Sequence, residues 1–208
     1  MKNLVLALSS MLLLGALHSE ATIAAETVSL KENTHYKLVD PTGKVSQPTV
    51  TEFFSYGCPA CRGMEGNLAD WKKTKPADLK FEYMHVYGMN PTWDVYAKIF
   101  YTAEALGILD KTHTATFNLI HVEHKAPKND DEVVAFLTKF GVEEAQVRST
   151  MKSFAVNSRL NFAKQKSRTY KLSSVPSFIV NNKYLIPHTE LGTIPVLESV
   201  LTQLPYKK

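Results

Sequence analysis

Cysteine is scarce in this chain: of 208 residues only Cys58 and Cys61 carry a thiol. Two cysteines cannot build a multi-bridge framework, and no second close pair is present to complete a four-ligand zinc site. Charge of one sign is also lacking, with 24 Lys and Arg set against 20 Asp and Glu for a net +4. The basic clusters Trp71-Lys72-Lys73-Thr74-Lys75 and Lys164-Gln165-Lys166-Ser167-Arg168 carry no nucleic-acid motif. They read as solvated helix faces, and no nucleic-acid partner is expected. Internal repeats and low-complexity tracts are absent. Beyond the N-terminal segment no run of 18 or more apolar residues occurs, which excludes a later helical span of a bilayer.

What remains is an ordinary globular composition, 44% hydrophobic and 21% charged. The first residues stand apart from it. Met1-Lys2-Asn3 gives a short positive start, Leu4 to Leu17 is an apolar core, and the small residues Ser19, Ala21, Ala24 and Ala25 follow. That is the pattern of a signal peptide over 1–25, cut between Ser19 and Ala25, and it predicts an exported protein. An uncleaved anchor is the alternative, and the shortness of the apolar run argues against it.

Within the remainder, Thr34 to Val39 predicts a short strand closed by the turn Asp40-Pro41-Thr42-Gly43. Val50 to Ser55 predicts a second strand, and a helix runs from about Cys58 to Thr74, before Pro76. Gly63 and Gly66 lie inside that helix at a cost of about 1 kcal/mol each relative to Ala, which points to close packing or a bend. Leu79 to Tyr87 is apolar on both parities, as in a strand from the middle of an α/β sheet. Strand, helix, strand at this spacing predicts a parallel pair.

From Pro91 to about Leu172 the periodicity becomes helical. Trp93, Tyr96, Ala97 and Phe100 mark a first helix ending near Gly107, and Thr112 to Val122 a second. Asn129-Asp130-Asp131-Glu132 opens a third, with Val133, Phe136, Leu137 and Phe140 inside and Gly141 beyond its end. Glu143 to Lys171 predicts one long or kinked helix through Val147, Met151, Phe154 and Phe162. Ser177 to Val180 and Lys183 to Ile186 then predict a hairpin with a two-residue Asn181-Asn182 turn. A closing helix runs from Thr193 to Leu204 with Pro195 in its first turn. The fold class is α/β with an inserted all-helical subdomain: 26–90 and 173–208 form one unit, and 91–172 interrupts it.

The chemistry lies in Cys58-Pro59-Ala60-Cys61, at the end of a strand and the start of a helix. A stabilising bridge is a poor reading, because closing so short a loop yields only about 2 kcal/mol against about 5 for a 100-residue loop. Zinc would need two more ligands. His121 and His124 are a helical pair, but they lie in the insertion and read as surface residues. Covalent haem attachment needs His directly after the second Cys, where Arg62 stands. A redox pair remains, working without a metal or a cofactor.

Cysteines three apart in a first helical turn lie within disulfide reach. Cys58 sits among unpaired N–H groups at the positive end of the helix dipole, which favours its thiolate and makes it the attacking sulfur. Cys61, one turn deeper, resolves the mixed disulfide. Pro59 presets helical φ where its missing N–H costs nothing. Glu52, a carboxylate between Val50 and Phe54 on a strand entering the core, is a candidate to exchange a proton with Cys61. The alternative is an edge glutamate reaching solvent.

Glu52-Phe53-Phe54-Ser55, Cys58-Pro59-Ala60-Cys61 and Val175-Pro176-Ser177-Phe178 together resemble the DsbA family of bacterial periplasmic thiol:disulfide oxidoreductases, over essentially the whole chain after the leader. The resemblance implies a thioredoxin fold with a helical insertion, with Cys58 as nucleophile, Cys61 as resolving thiol and Glu52 as the acid beneath the site. It also implies a cis Val175–Pro176 bond, with the Val175 backbone pairing to an extended client peptide; without it, a trans proline opening a strand would be the reading. Implied partners are reduced exported polypeptides and a quinone-linked membrane oxidase resembling DsbB. The implied location is the periplasm, and the roughly 32 residues between a cut after Ala25 and Cys58, too few for the dimerisation domain of the known isomerases, favour a monomer. Two positions depart from the family: Ala60 stands where its best-known members have a histidine that holds the thiolate, and Tyr83 stands where a lysine partners the strand acid. Other readings are a periplasmic reductase or isomerase-like relative, a peptide-binding holdase, and a copper carrier, for which only Met64 is at hand as a nearby soft ligand.

Overall fold

The computed structural model describes residues 28–187 and 192–207, so the leader expected at 1–25 lies outside the described residues. In chain order the elements are β1 (Lys37–Leu38), β2 (Thr49–Phe54), α1 (Pro59–Thr74) and β3 (Lys80–His85). Five helices follow: α2 (Pro91–Ala105), α3 (Leu109–His121), α4 (Asp130–Leu137), α5 (Glu144–Met151) and α6 (Phe154–Thr169). The chain returns to the sheet with β4 (Ser177–Val180) and β5 (Tyr184–Pro187) and closes with α7 (Ile194–Gln203). Strand order is β1-β5-β4-β2-β3. β2 runs parallel to β3, from Thr49 opposite Lys80 to Phe54 opposite His85, and antiparallel to β4. Interrupting a small mixed sheet with helices between β3 and β4 gives a thioredoxin-like fold with an inserted helical subdomain.

The core has two parts. Val50 and Phe178 from the sheet pack with Met64, Leu68 and Trp71 of α1 and with Leu197, Val200 and Leu201 of α7. The larger part joins the sheet to the inserted helices, and Phe54 is its hinge pin. Its ring lies 5.0–5.5 Å from those of Tyr56, Tyr83, His85, Phe100 and His113, mostly edge to face. Truncating so enclosed a ring costs about 3–5 kcal/mol.

Several expectations change on contact with the tertiary structure. β3 is an edge strand, and its first half is only partly covered. On one parity Phe81 packs on Trp71 and Tyr83 accepts from Lys72 of α1, while Tyr83 and His85 also meet His113 and Phe100 of the inserted helices. Gly63 and Gly66 are not packing contacts, since nothing lies within 4 Å of a Cβ built at either. The predicted helix from Glu143 to Lys171 is two helices. Lys152 ends α5, and the Ser153 side chain caps α6 by accepting from Val156 N–H at 3.3 Å. The break turns Phe154 to solvent, 88% exposed, and leaves Phe162 at 40%, so neither joins the buried stripe. In the hairpin, Val180 pairs with Tyr184, making a three-residue connection. Asn181 and Asn182 do both take positive φ there.

Candidate active site

β2 passes the chain to α1 through Ser55-Tyr56-Gly57-Cys58. Cys58 N–H donates to Ser55 O at 3.0 Å, and Cys58 occupies the N-cap of α1 with extended φ and ψ. Its sulfur therefore faces the free N–H groups of the first turn. Gly57 is required by space: a Cβ there would stand 2.5 Å from Trp93 Nε1 of the insertion. Ser55 Oγ secures the turn by accepting from Gly57 N–H at 3.1 Å.

The two thiols are free and lie in opposite environments. Cys58 is 7% exposed, and Cys61 is fully buried. The Cys61 thiol and the N–H groups of Cys61 and Ala60 hydrogen-bond to the Cys58 sulfur and lower its pKa to about 6, against an opposing contribution from burial. Burial pushes the Cys61 thiol far upward. The bond to Cys58 and the nearby Glu52 carboxylate add to that rise. Protonated Cys58 also donates to Val175 O at 3.4 Å. The Val175–Pro176 peptide, at the entrance of β4, is cis.

Glu52 is completely buried, and neither carboxylate oxygen has a hydrogen-bond partner. Burial raises its pKa well above the usual range, with Glu65 and Cys58 adding to the rise and Lys72 opposing it. A solvent-reaching edge glutamate is thereby excluded. Its cross-strand neighbours are Tyr83 on β3 and Phe178 on β4.

Around this acid runs a polar chain of which sequence reasoning singled out only Tyr83. Lys72 Nζ donates to Tyr83 OH at 2.8 Å, and Tyr83 OH donates to Glu65 Oε2 at 3.3 Å. His113 Nε2 meets the same Glu65 oxygen at 3.0 Å, and Nδ1 meets Tyr56 OH at 3.0 Å. One tautomer satisfies both bonds, with the proton on Nε2. Tyr83 stands opposite Glu52 across the β2–β3 pair, and Lys72 of α1 brings a cation to its hydroxyl. Glu65 had a usable signal: four residues after Cys61, it repeats on the same helical face one turn further. His113 had none, because only the docking of α3 brings it near.

Two more histidines fix the turn itself. His85 Nδ1–H donates to Val86 O at 2.8 Å, leaving Nε2 to accept from Tyr56 N–H at 3.0 Å. Burial lowers its pKa to about 3, so it stays neutral. His121 Nε2 donates to Tyr56 O at 2.7 Å. It therefore supports the turn before Cys58, whereas its sequence context suggested a surface residue. Among the described residues no three His, Cys, Asp or Glu side chains are grouped to hold a metal. Nor is any described helix long and apolar enough to cross a membrane.

Comparison with known proteins bears on the same features. Residues 88–195 match the family model described as a DSBA-like thioredoxin domain. The thiol:disulfide interchange protein DsbA of Pseudomonas aeruginosa strain PAO1 is 32% identical over 184 residues, covering 88% of this chain and 86% of that protein. The crystal structure of Pseudomonas aeruginosa DsbA, 29% identical, superposes with a TM-score of 0.77 over 85% of this chain and 93% of that one. A DsbA from Proteus mirabilis, solved with a non-covalently bound peptide, shares the fold at 22% identity, with a TM-score of 0.75 over 86% of this chain and 100% of its own. The split pair of thiols at the head of α1 thus sits in a chain whose relatives exchange dithiols for disulfides, and this chain belongs to the DsbA family of thiol:disulfide oxidoreductases.

Proposed function

We propose that the Cys58–Cys61 pair donates its disulfide to reduced polypeptides in the periplasm after removal of the 1–25 leader. The observation that carries this reading is the opposite treatment of two thiols one turn apart, with an unpartnered buried carboxylate behind the deeper one. A client thiolate attacks Cys58 Sγ, the Cys58–Cys61 bond breaks, and Cys61 leaves with the electron pair. Cys61 cannot persist as a thiolate in that setting, so it takes a proton, and Glu52 is the group positioned to give it. A second client thiolate then attacks the client sulfur of the mixed disulfide. Cys58 departs as a stable thiolate, the client gains one disulfide, and the pair is left reduced by two electrons. Pro59 and Ala60 form the exposed top of the site.

The Val175 backbone is the ledge on which an extended client peptide pairs. A quinone-linked membrane oxidase resembling DsbB would reoxidise the pair, and the chain would act as a monomer. The unit formed by 26–90 and 173–208 carries the sulfurs, and the 91–172 insertion walls the site. Equilibration with glutathione buffers tests the reading. A potential well above the value of about −270 mV typical of a reductant such as thioredoxin supports an oxidant, and a value near it overturns the proposal in favour of a reductase.

A further inference from the structure

The basic run Lys164-Gln165-Lys166-Ser167-Arg168 is not one solvated face. Lys166 turns toward the Tyr170 hydroxyl, 3.2 Å away. Lys164 and Arg168, together with Lys171 just beyond α6, line a separate cleft of about 130 Å³ whose other wall is Tyr87, Gly88 and Met89. Lys164 is seated rather than free. Gly88 adopts φ +78°, and a Cβ there would stand 2.9 Å from Lys164 Cε, so the lysine stem lies on bare backbone. Its Nζ lies 6.0 Å from the centre of the Tyr87 ring.

Among the described residues none of these three cations has a carboxylate within ion-pairing distance, a state they share with Lys111, Lys128, Lys139 and Lys152 of the insertion, but only these three line one cleft together. Asp94, across the loop, is engaged by Gly88 N–H at 2.6 Å. The C-terminal end of the α6 dipole accounts for Arg168. It does not account for Lys164, more than a turn earlier, nor for three positive groups converging on one small cleft.

The cleft lies on the catalytic edge of the sheet. β3 runs parallel to β2, so Tyr87–Met89 leave the sheet at the end where β2 delivers Cys58. Lys171 is four residues before Val175, whose carbonyl meets Cys58 Sγ, and four residues span at most about 14 Å. An extended client therefore covers that distance in at most about four residues.

We propose that Lys164, Arg168 and Lys171 form a subsite for an acidic side chain of the client, within about four residues of the client cysteine that attacks Cys58. The subsite rests on the oxidase reading above and adds a preference in client sequence to it. Being exposed, it acts mainly on encounter and is screened by salt.

The test uses two dithiol peptides, identical except that one carries Glu and the other Gln at those positions, on each side of the cysteine in turn. At about 20 mM salt the Glu peptide is oxidised with kcat/KM about three- to fivefold higher, and the advantage vanishes at about 500 mM. The K164Q/R168Q/K171Q variant loses the advantage and oxidises the Gln peptide at the wild-type rate, which also shows that it is folded. Equal handling of the two peptides by the wild type, or equal loss on both by the variant, overturns the subsite. So does a variant that oxidises both peptides as the wild type does and loses only binding to phosphatidylglycerol vesicles, which would make the cleft a membrane contact. Oxidation of neither peptide by the wild type overturns the oxidase reading itself, and the subsite with it.

Discussion

Cys58 and Cys61 are separated by one helical turn, and that turn divides two regions of different physics. Above it, the head of α1 offers N–H groups, an S–H donor and the Val175 carbonyl, at the edge of solvent. Below it, Glu52 has no hydrogen-bond partner, and the wall holds Phe54, Tyr83, Glu65 and His113. The same functional group is an acid of pKa about 6 in the first region and a thiol that resists ionisation in the second. In the proposed mechanism, position relative to the helix end, rather than residue type, makes Cys58 the attacking sulfur and Cys61 the one protonated as it leaves.

The sharpest way to break the comparison is to remove one sulfur at a time. Cys58→Ser should abolish client oxidation, a loss of more than about a thousandfold. Cys61→Ser should instead accumulate a mixed disulfide on Cys58, visible by mass spectrometry. Accumulation in the Cys58→Ser variant would reverse the assignment.

The next largest effect belongs to the lower region. Glu52→Gln should slow the protonation of departing Cys61 about a hundredfold and remove one limb of the pH–rate profile. It should also stabilise the oxidised protein. Because the folded-state pKa of Glu52 is raised, the wild type loses stability as pH rises from 4.5 toward neutrality. The variant should therefore match wild type near pH 4 and exceed it by about 1–3 kcal/mol at pH 7, read by urea unfolding. A constant difference across that range would mean the carboxylate is not titrating in the fold.

For the upper region, thiolate absorbance of the reduced protein should titrate with a midpoint near pH 6. A lowered pKa stabilises the reduced fold fully above the ordinary thiol value of 9.0, and the gain is lost as pH falls through about 6. Unfolding of the reduced protein across that window checks the sign. The smallest change is at the exposed Ala60. Ala60→His adds a cationic donor beside the thiolate and should lower the Cys58 pKa by about one unit, raising the potential by about 30 mV. An unchanged potential would mean that the helix end already supplies the full stabilisation.

Much of this was legible before folding, for local reasons. A β-branched and aromatic run, Gly57, and two cysteines flanking Pro59 define strand, turn and helix start within a dozen residues. Part of the thiolate's advantage, the N–H groups of the helix start, follows from that spacing; the largest single contribution is the hydrogen bond from the Cys61 thiol. Glu52 was legible because a carboxylate amid apolar neighbours on a strand is costly. The helix running to Lys171 was misread because Ser153 caps a new helix inside a pattern that looks continuous. Phe154 then faces water, where periodicity placed it inside.

The sequence by itself therefore determined the redox pair, its polarity along α1 and the order of the elements, since each depends on contacts within a few residues. Only the tertiary structure decided what surrounds that pair. Lys72 and Glu65 of α1, Tyr83 of β3 and His113 of α3 meet through packing between elements up to 48 residues apart at the His113–Glu65 contact. The Val175 carbonyl reaches Cys58 across 117 residues. Contacts at such separations leave no periodic trace in the chain, because they depend on how one element docks on another rather than on the spacing within either.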